Sequence, residues 1–281
     1  MITVMGATGR VGRRIVAALA PGERVRAVSR SPQRHAGPGV DPYVGDAADA
    51  AFLTGAFRGA DAAFTMLPVD AHEPDQRAAQ DAKGEAIATA VRGSGVPYVV
   101  MLSSLGAELA SGTGFIEALH RQEQRLAATG VPLLVLRPTW FLENTAEALP
   151  TVEALGCVAD SLRPDLPIPM VAVQDVATAA ADALRTRERT GVVELLGPRD
   201  LTQTEVAALL GAQLGRPGLP YVQLPETEMV DALVGAGFSP DAARRHVGMT
   251  RALNEGRIAG HRTAGNTTPT RFEDVVGEWV A

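Results

Sequence analysis

With 281 residues, 46% of them hydrophobic and 21% charged, the chain is long enough to bury a sizeable core and has an ordinary globular balance. A formal net charge of −6 gives no general attraction to nucleic acid or to an anionic membrane. No stretch approaches the about 20 apolar residues of a membrane span, and the single cysteine, Cys157, excludes an internal disulfide and thiolate-rich metal sites.

The chain opens on an apolar run at 2–5, followed directly by Gly6-Ala7-Thr8-Gly9-Arg10-Val11-Gly12 and by helical spacing over 11–19. The run is expected to be a strand rather than a signal peptide. Glycines permit a tight turn and close approach of a ligand to the backbone. The helix N-terminus adds N–H groups and the positive end of its dipole. A dinucleotide pyrophosphate requires this combination, so Gly6, Thr8, Gly9, Arg10, Val11 and Gly12 are expected to bind one.

Further strands are expected at 24–29, 41–44, 62–67, 98–102, 133–136 and 192–195, with helices at 48–57, 75–93, 115–128 and 176–185 between them. Short apolar strands alternating with helices define an α/β fold: a Rossmann-like parallel sheet with helices on both faces. Thr202-Gln203-Thr204-Glu205 reads as a capping box before a helix at 206–214, and 226–236 and 240–256 read as helices. The expected organisation is a nucleotide-binding domain over 1–150, with late core strands near 168–175 and 192–197, and a mixed region over 151–281 that includes a small, mostly helical substrate-binding cap.

The end of the second expected strand indicates which nucleotide is bound. An NAD site usually carries an acidic residue there, bonded to the ribose hydroxyls. This chain has Ser29-Arg30-Ser31, with Arg34 and His35 shortly after. A guanidinium and a hydroxyl suit the 2′-phosphate of NADP, so NADPH/NADP is the expected cofactor, held by Ser29 and Arg30; the alternative is that Arg30 solvates a loop. Asp46, after the third strand, either reaches the adenine edge or caps the following helix. Leu67 and Pro68, after the fourth, either flank the nicotinamide or pack against the sheet.

A short-chain reductase generally polarises its carbonyl through a tyrosine assisted by a lysine four residues on. Here the corresponding helix carries Ile116 and His120 at that spacing, and none of Tyr43, Tyr98 or Tyr221 has a compelling position. Hydride transfer needs no tyrosine, because the cofactor carries it and the protein supplies orientation. An electron-poor quinone needs less electrophilic help than a simple ketone. His120 is then the candidate proton donor, against the alternative of a structural histidine, and Ser103 and Ser104 are placed to contact nicotinamide or substrate. Five scattered histidines make no metal-binding signature, so no metal is expected.

Taken together, the glycine turn, Ser29-Arg30, Gly45-Asp46, Ser103-Ser104, the segment from His120 to Glu123, and Leu136-Arg137-Pro138-Thr139-Trp140-Phe141-Leu142-Glu143-Asn144 resemble the NmrA-like family of atypical short-chain dehydrogenases/reductases. The runs Val173-Gln174-Asp175-Val176-Ala177 and Pro269-Thr270-Arg271-Phe272-Glu273 extend that resemblance over nearly the whole length. The nearest subgroup by resemblance is the type 2 NAD(P)H quinone reductases. That likeness implies that Pro138 lies at the nicotinamide end and that Trp140, Phe141 and Asn144 bind substrate. Trp140 and Phe141 are suited to stacking and Asn144 to a carbonyl, ordinary core packing being the alternative for the two aromatics. The expected activity is NADPH-dependent reduction of a quinone or other conjugated aromatic carbonyl compound. The family also contains NADP-binding redox sensors, which leaves a regulatory protein without turnover as the second reading. A cytoplasmic protein with a small aromatic or quinone-like substrate is expected, with no nucleic-acid or membrane partner, and a homodimer is open to it.

Overall fold

Seven short strands build the main sheet of the protein, for which a computed structural model describes residues 1–31 and 37–280. Arg34 and His35 lie outside the described residues. The chain forms β1 (Ile2–Met5), α1 (Arg10–Leu19), β2 (Val25–Ser29), β3 (Val40–Val44), α2 (Ala50–Phe57), β4 (Ala62–Met66), α3 (Gln76–Ser94), β5 (Val99–Leu102), α4 (Ile116–Ala127) and β6 (Leu133–Pro138) in turn. The sheet has the order β10-β6-β5-β4-β1-β2-β3, its seventh strand being β10 (Gly191–Leu195), and every pairing within it is parallel.

Alternation along each strand divides the core between the two faces. Val4, Ala27, Phe64 and Val100 pack with Ile15 and Leu19 of α1 and with α6 (Val173–Thr186). Met5, Val28, Ala63 and Met101 pack with Phe57 of α2, Ile87 and Val91 of α3, and Leu126 of α4. Asp49 caps α2 by accepting the Ala51 and Phe52 N–H groups, and Asp75 caps α3 through Ala78. Pro42 sits in edge strand β3, where its missing N–H leaves no ladder bond unmade. The strand order reverses between β1 and β4, which opens a crevice beyond the C-terminal ends of the strands.

After β6 the chain leaves the sheet through β7 (Trp140–Phe141), a 3₁₀ turn at Leu142–Ala148, α5 (Leu149–Leu155), β8 (Val158–Asp160) and β9 (Ile168–Val171). It returns through α6 and β10, then forms β11 (Asp200–Leu201), α7 (Gln203–Gln213), β12 (Tyr221–Gln223), α8 (Glu226–Gly235), α9 (Pro240–Asn254) and two short helices at Phe272–Val275 and Gly277–Val280. Strand β9 lies at the position expected for a late strand, but it pairs with β7 and β11 in a separate three-stranded sheet rather than joining the main one. This small sheet encloses its own core, including Leu142, Ile168, Met170, Leu201, Leu210 and Phe272. The mostly helical C-terminal region follows it, with the expected capping box formed at Thr202 and Glu205.

Candidate active site

The turn after β1 is shaped by close contacts that side chains would obstruct. Gly6 has φ +64°, and a Cβ there would lie 2.3 Å from Met66 Sδ. A Cβ on Gly12 would lie 2.1 Å from the Gly6 carbonyl oxygen, so this glycine sets how closely α1 approaches the turn. Gly9 begins the helix without a capping side chain, and the first turn holds no acidic residue. The N–H groups and positive dipole end are thus left to an anion. Val11 is buried in the core, so only its backbone can serve such a ligand. These features fit a dinucleotide pyrophosphate.

Arg10 turns away from the turn it begins: its guanidinium donates to Asn144 Oδ1 at 3.2 Å and pairs with Glu147 at 2.9 Å. It therefore ties the first turn of α1 to the segment after β7. Beside Asn144, Glu143 is buried, and both of its carboxylate oxygens accept the Val173 N–H at 3.0 Å. Burial raises its pKa, opposed by that N–H bond and by the nearby Arg14 and Arg10.

At the end of β2, Ser29 donates to the Ser31 carbonyl at 2.7 Å, while the Arg30 side chain is 82% exposed. Among the described residues its ion partner is Asp70, at 4.0 Å. Its charge thus remains available to a phosphate. Asp46 accepts the Ala48 N–H at 2.9 Å, a local turn just before the true helix cap at Asp49.

Beyond β4, β5 and β6 lies a cavity of about 250 Å³. Leu67, Ser103, Ser104, Pro138, Trp140, Phe141 and Asn144 all line it, so the structure brings these expected residues together. Pro68 and His120 are not among the lining residues. Phe115, Ile116 and Leu119 of the α4 region, Met249 and Leu253 of α9, Ile258, Gln80 and Thr139 complete much of the wall. The apolar spacing of Ile116 with Leu119 and of Met249 with Leu253 was the sequence signal for these helix faces. Nothing in the sequence distinguished Gln80, and Thr139 stood out only as part of the run that carries the family resemblance. Met66 lines the cavity and also meets Gly6, so the cavity adjoins the glycine turn.

Ser103 donates its hydroxyl proton to Glu123. Glu123 in turn accepts from Arg137 Nε and Nη2 at 3.0 and 2.6 Å, and Arg137 Nη1 reaches Glu108 at 3.1 Å. The bond to Glu123 raises the Arg137 pKa above its ordinary value. With its proton committed, the Ser103 oxygen can only accept from a ligand. Ser104 donates to the Leu105 carbonyl at 3.0 Å. The His120 ring is held at both nitrogens, by the Ala107 carbonyl at 2.8 Å from Nδ1 and by Gln124 at 2.9 Å from Nε2. The carbonyl requires Nδ1 to carry the proton, and the ring joins α4 to the loop after β5. No tyrosine lines the cavity: Tyr43 stacks on Phe52, Tyr98 donates to the Arg189 carbonyl and Tyr221 to the Leu162 carbonyl.

A parallel α/β sheet, a glycine turn whose helix N-terminus has no side-chain cap, and an adjoining apolar cavity define a dinucleotide-binding protein. Comparison with known proteins agrees. Residues 6–187 match the NAD(P)H-binding family. The chain is 36% identical over 221 residues to a (4-alkanoyl-5-oxo-2,5-dihydrofuran-3-yl)methyl phosphate reductase of Streptomyces griseus, covering 77% of this chain and 75% of the relative. Its fold is shared with an Escherichia coli NADPH-dependent quinone oxidoreductase solved with NADPH (TM-score 0.77, 24% identity, 99% of both chains). It is also shared with a Citrobacter triphenylmethane reductase solved with NADP(H) (TM-score 0.81, 19% identity, 100% of both chains). The chain belongs to the NAD(P)H-binding family. Among the described residues, no helix is long and apolar enough to cross a membrane.

Proposed function

We propose that this protein is an NADPH-dependent reductase of an uncharged quinone or another conjugated aromatic carbonyl compound. The observation that carries the reading is the apolar, aromatic-walled cavity adjoining the glycine turn at Met66. When bound, reduced nicotinamide supplies a hydride to the acceptor, and a solvent proton completes the product. The N–H groups at Arg10, Val11 and Gly12 would hold the pyrophosphate, with Gly9 closing the turn by donating to the Gly6 carbonyl at 2.9 Å. Arg30 would hold the 2′-phosphate, and Ser29 would join it by turning its hydroxyl from the Ser31 carbonyl. Asp46 would stand near the adenine, while Leu67, Ser103 and Pro138 would flank the nicotinamide; Pro68, outside the cavity lining, takes no part in this reading. Trp140 and Phe141 present flat apolar faces to the acceptor, Asn144 offers it an amide donor, and Ser104 stands beside it.

His120 enters this reading as the residue that holds the loop at Ala107, not as the proton source, since both ring nitrogens are engaged. The cavity lining contains no Lys or Arg among the described residues, which favours an uncharged acceptor over a phosphorylated one. The reading takes the protein to be cytoplasmic, in keeping with its unpaired Cys157.

The test is NADPH-dependent reduction of a simple para-quinone followed at both the cofactor and the quinone absorption bands. Matched loss of the two is expected. Absence of turnover by protein shown to hold NADPH would overturn the reading in favour of an NADP-binding regulatory protein.

A further inference from the structure

Most polar groups lining the cavity are already used by the fold. Ser103 is bound to Glu123, Asn144 Oδ1 to Arg10, and Ser104 to the Leu105 carbonyl. Gln80 differs. It lies in the second turn of α3, lines the cavity, and is 2% exposed. One turn earlier on the same helix face, Gln76 Nε2 donates to the Asp70 and Glu73 carbonyls at 2.5 and 3.1 Å; its Oε1 is also buried without a partner among the described residues, but Gln76 does not line the cavity. Gln80 Oε1 is buried with no hydrogen-bond partner among the described residues. An unpaired buried amide oxygen is unfavourable, and a helix position facing apolar walls would be filled better by Leu or Met. A polar group retained there without a protein partner fits a ligand.

We propose that Gln80 is a specificity-determining residue of this cavity, its carboxamide hydrogen-bonding to an oxygen carried directly on the acceptor ring. The inference rests on the reductase reading above. A carboxamide holds a donor and an acceptor in one plane, and a half-turn about its last bond exchanges them. No bond from a described residue to Oε1 fixes its direction. Nε2 therefore donates to a ring carbonyl, and after a half-turn Oε1 accepts from a ring hydroxyl. Conversion of a quinone to a hydroquinone, by addition of one hydride from NADPH and one proton from solvent, turns a carbonyl into a hydroxyl. Gln80 can meet both states without rearrangement of the backbone. An apolar ring without such an oxygen would enter and leave the amide unpaired, so selectivity against it follows from the same bond.

The experiment uses the protein loaded with oxidised NADP, so that nothing turns over, and reads ligand binding through the fluorescence of Trp140 in the cavity wall. The two probes are 4-methoxyphenol and 1,4-dimethoxybenzene, which share a ring and differ by one O–H. The wild type is expected to bind the phenol about five- to tenfold more tightly. Gln80→Met, similar in volume and unable to accept that bond, is expected to lose the preference while keeping its affinity for the ether. Equal affinity of the wild type for both probes overturns the assignment, as does a preference that survives in Gln80→Met. The wild-type arm alone decides the matter if the variant does not fold. Failure of both probes to bind overturns the aromatic-pocket reading itself and the assignment with it, a different result from binding without preference.

Discussion

Arg30 leaves β2 with its guanidinium 82% exposed and its described carboxylate partner, Asp70, 4.0 Å away. A guanidinium so lightly paired gives up little to bind a phosphate, and NADPH carries one that NADH lacks. Arg30→Ala is expected to weaken NADPH binding about ten- to hundredfold and NADH binding hardly at all, as measured by equilibrium titration of cofactor fluorescence. Equal losses for both would return Arg30 to the role of a loop-solvating residue. The place of Arg30 at the end of β2 was legible in the sequence, because a strand, a glycine turn and a helix fix the order of the elements around it. His120 was less legible. Its spacing from Ile116 is that of a tyrosine–lysine pair, but Ile116 and Leu119 face the cavity, while His120 points to the Ala107 carbonyl. Helix phase decides this, and phase is set by packing against neighbours rather than by spacing alone.

At the scale of elements, the first turn of α6 meets the segment after β7 through the buried Glu143. Its folded-state pKa is raised by burial, so the charged form is less favourable in the native state than in the unfolded chain. The sign follows by linkage: this penalty is absent below the unfolded carboxyl range and grows as pH rises through the raised native value. Glu143→Gln does not titrate and keeps an oxygen for the Val173 N–H. Its Tm relative to wild type is therefore expected to improve between pH 4 and pH 7, a trend that thermal unfolding across that range would reveal. A difference independent of pH would show that burial does not disfavour the charged form. Long elements with regular periodicity were readable in advance, α1 through its apolar stripe. Strands β7, β8, β11 and β12 were not, since two or three residues show no alternation and their partners are distant in sequence. The place of β9 was similarly hidden: an apolar run does not reveal which sheet it will join.

Across the whole molecule, the cap is fastened to the segment after β4. His72 Nδ1 meets the Gly237 carbonyl at 2.8 Å, the Ser239 N–H donates to the Ala71 carbonyl at 2.8 Å, and the Gln76 N–H donates to Asp241 at 2.9 Å. These bonds seat α9, and with it Met249 and Leu253, over the cavity. Asp241→Ala removes one of them and is expected to raise KM for the acceptor about five- to tenfold with NADPH affinity unchanged, because the glycine turn lies elsewhere. Steady-state kinetics varying each substrate would check the split, and an equal effect on both would contradict it. The parallel sheet could be anticipated from the order of its strands and helices. How the cap closes could not, because it depends on single hydrogen bonds between segments more than 160 positions apart.

The cavity wall runs from Met66 to Ile258, whereas the glycine turn, β2 and the end of β3 all fall within the first fifty residues. The two ends of the site therefore differ in how much chain must be in place before they exist. A lesion that loosens α9 can abolish acceptor recognition while the nucleotide end survives, leaving a protein that still takes up NADPH but has nowhere to send its electrons. Conversely, a compound lodged in the cavity holds distant parts of the chain in a single arrangement. Its binding energy is added to the stability of the whole molecule, so an inhibitor of this protein would also protect it from degradation.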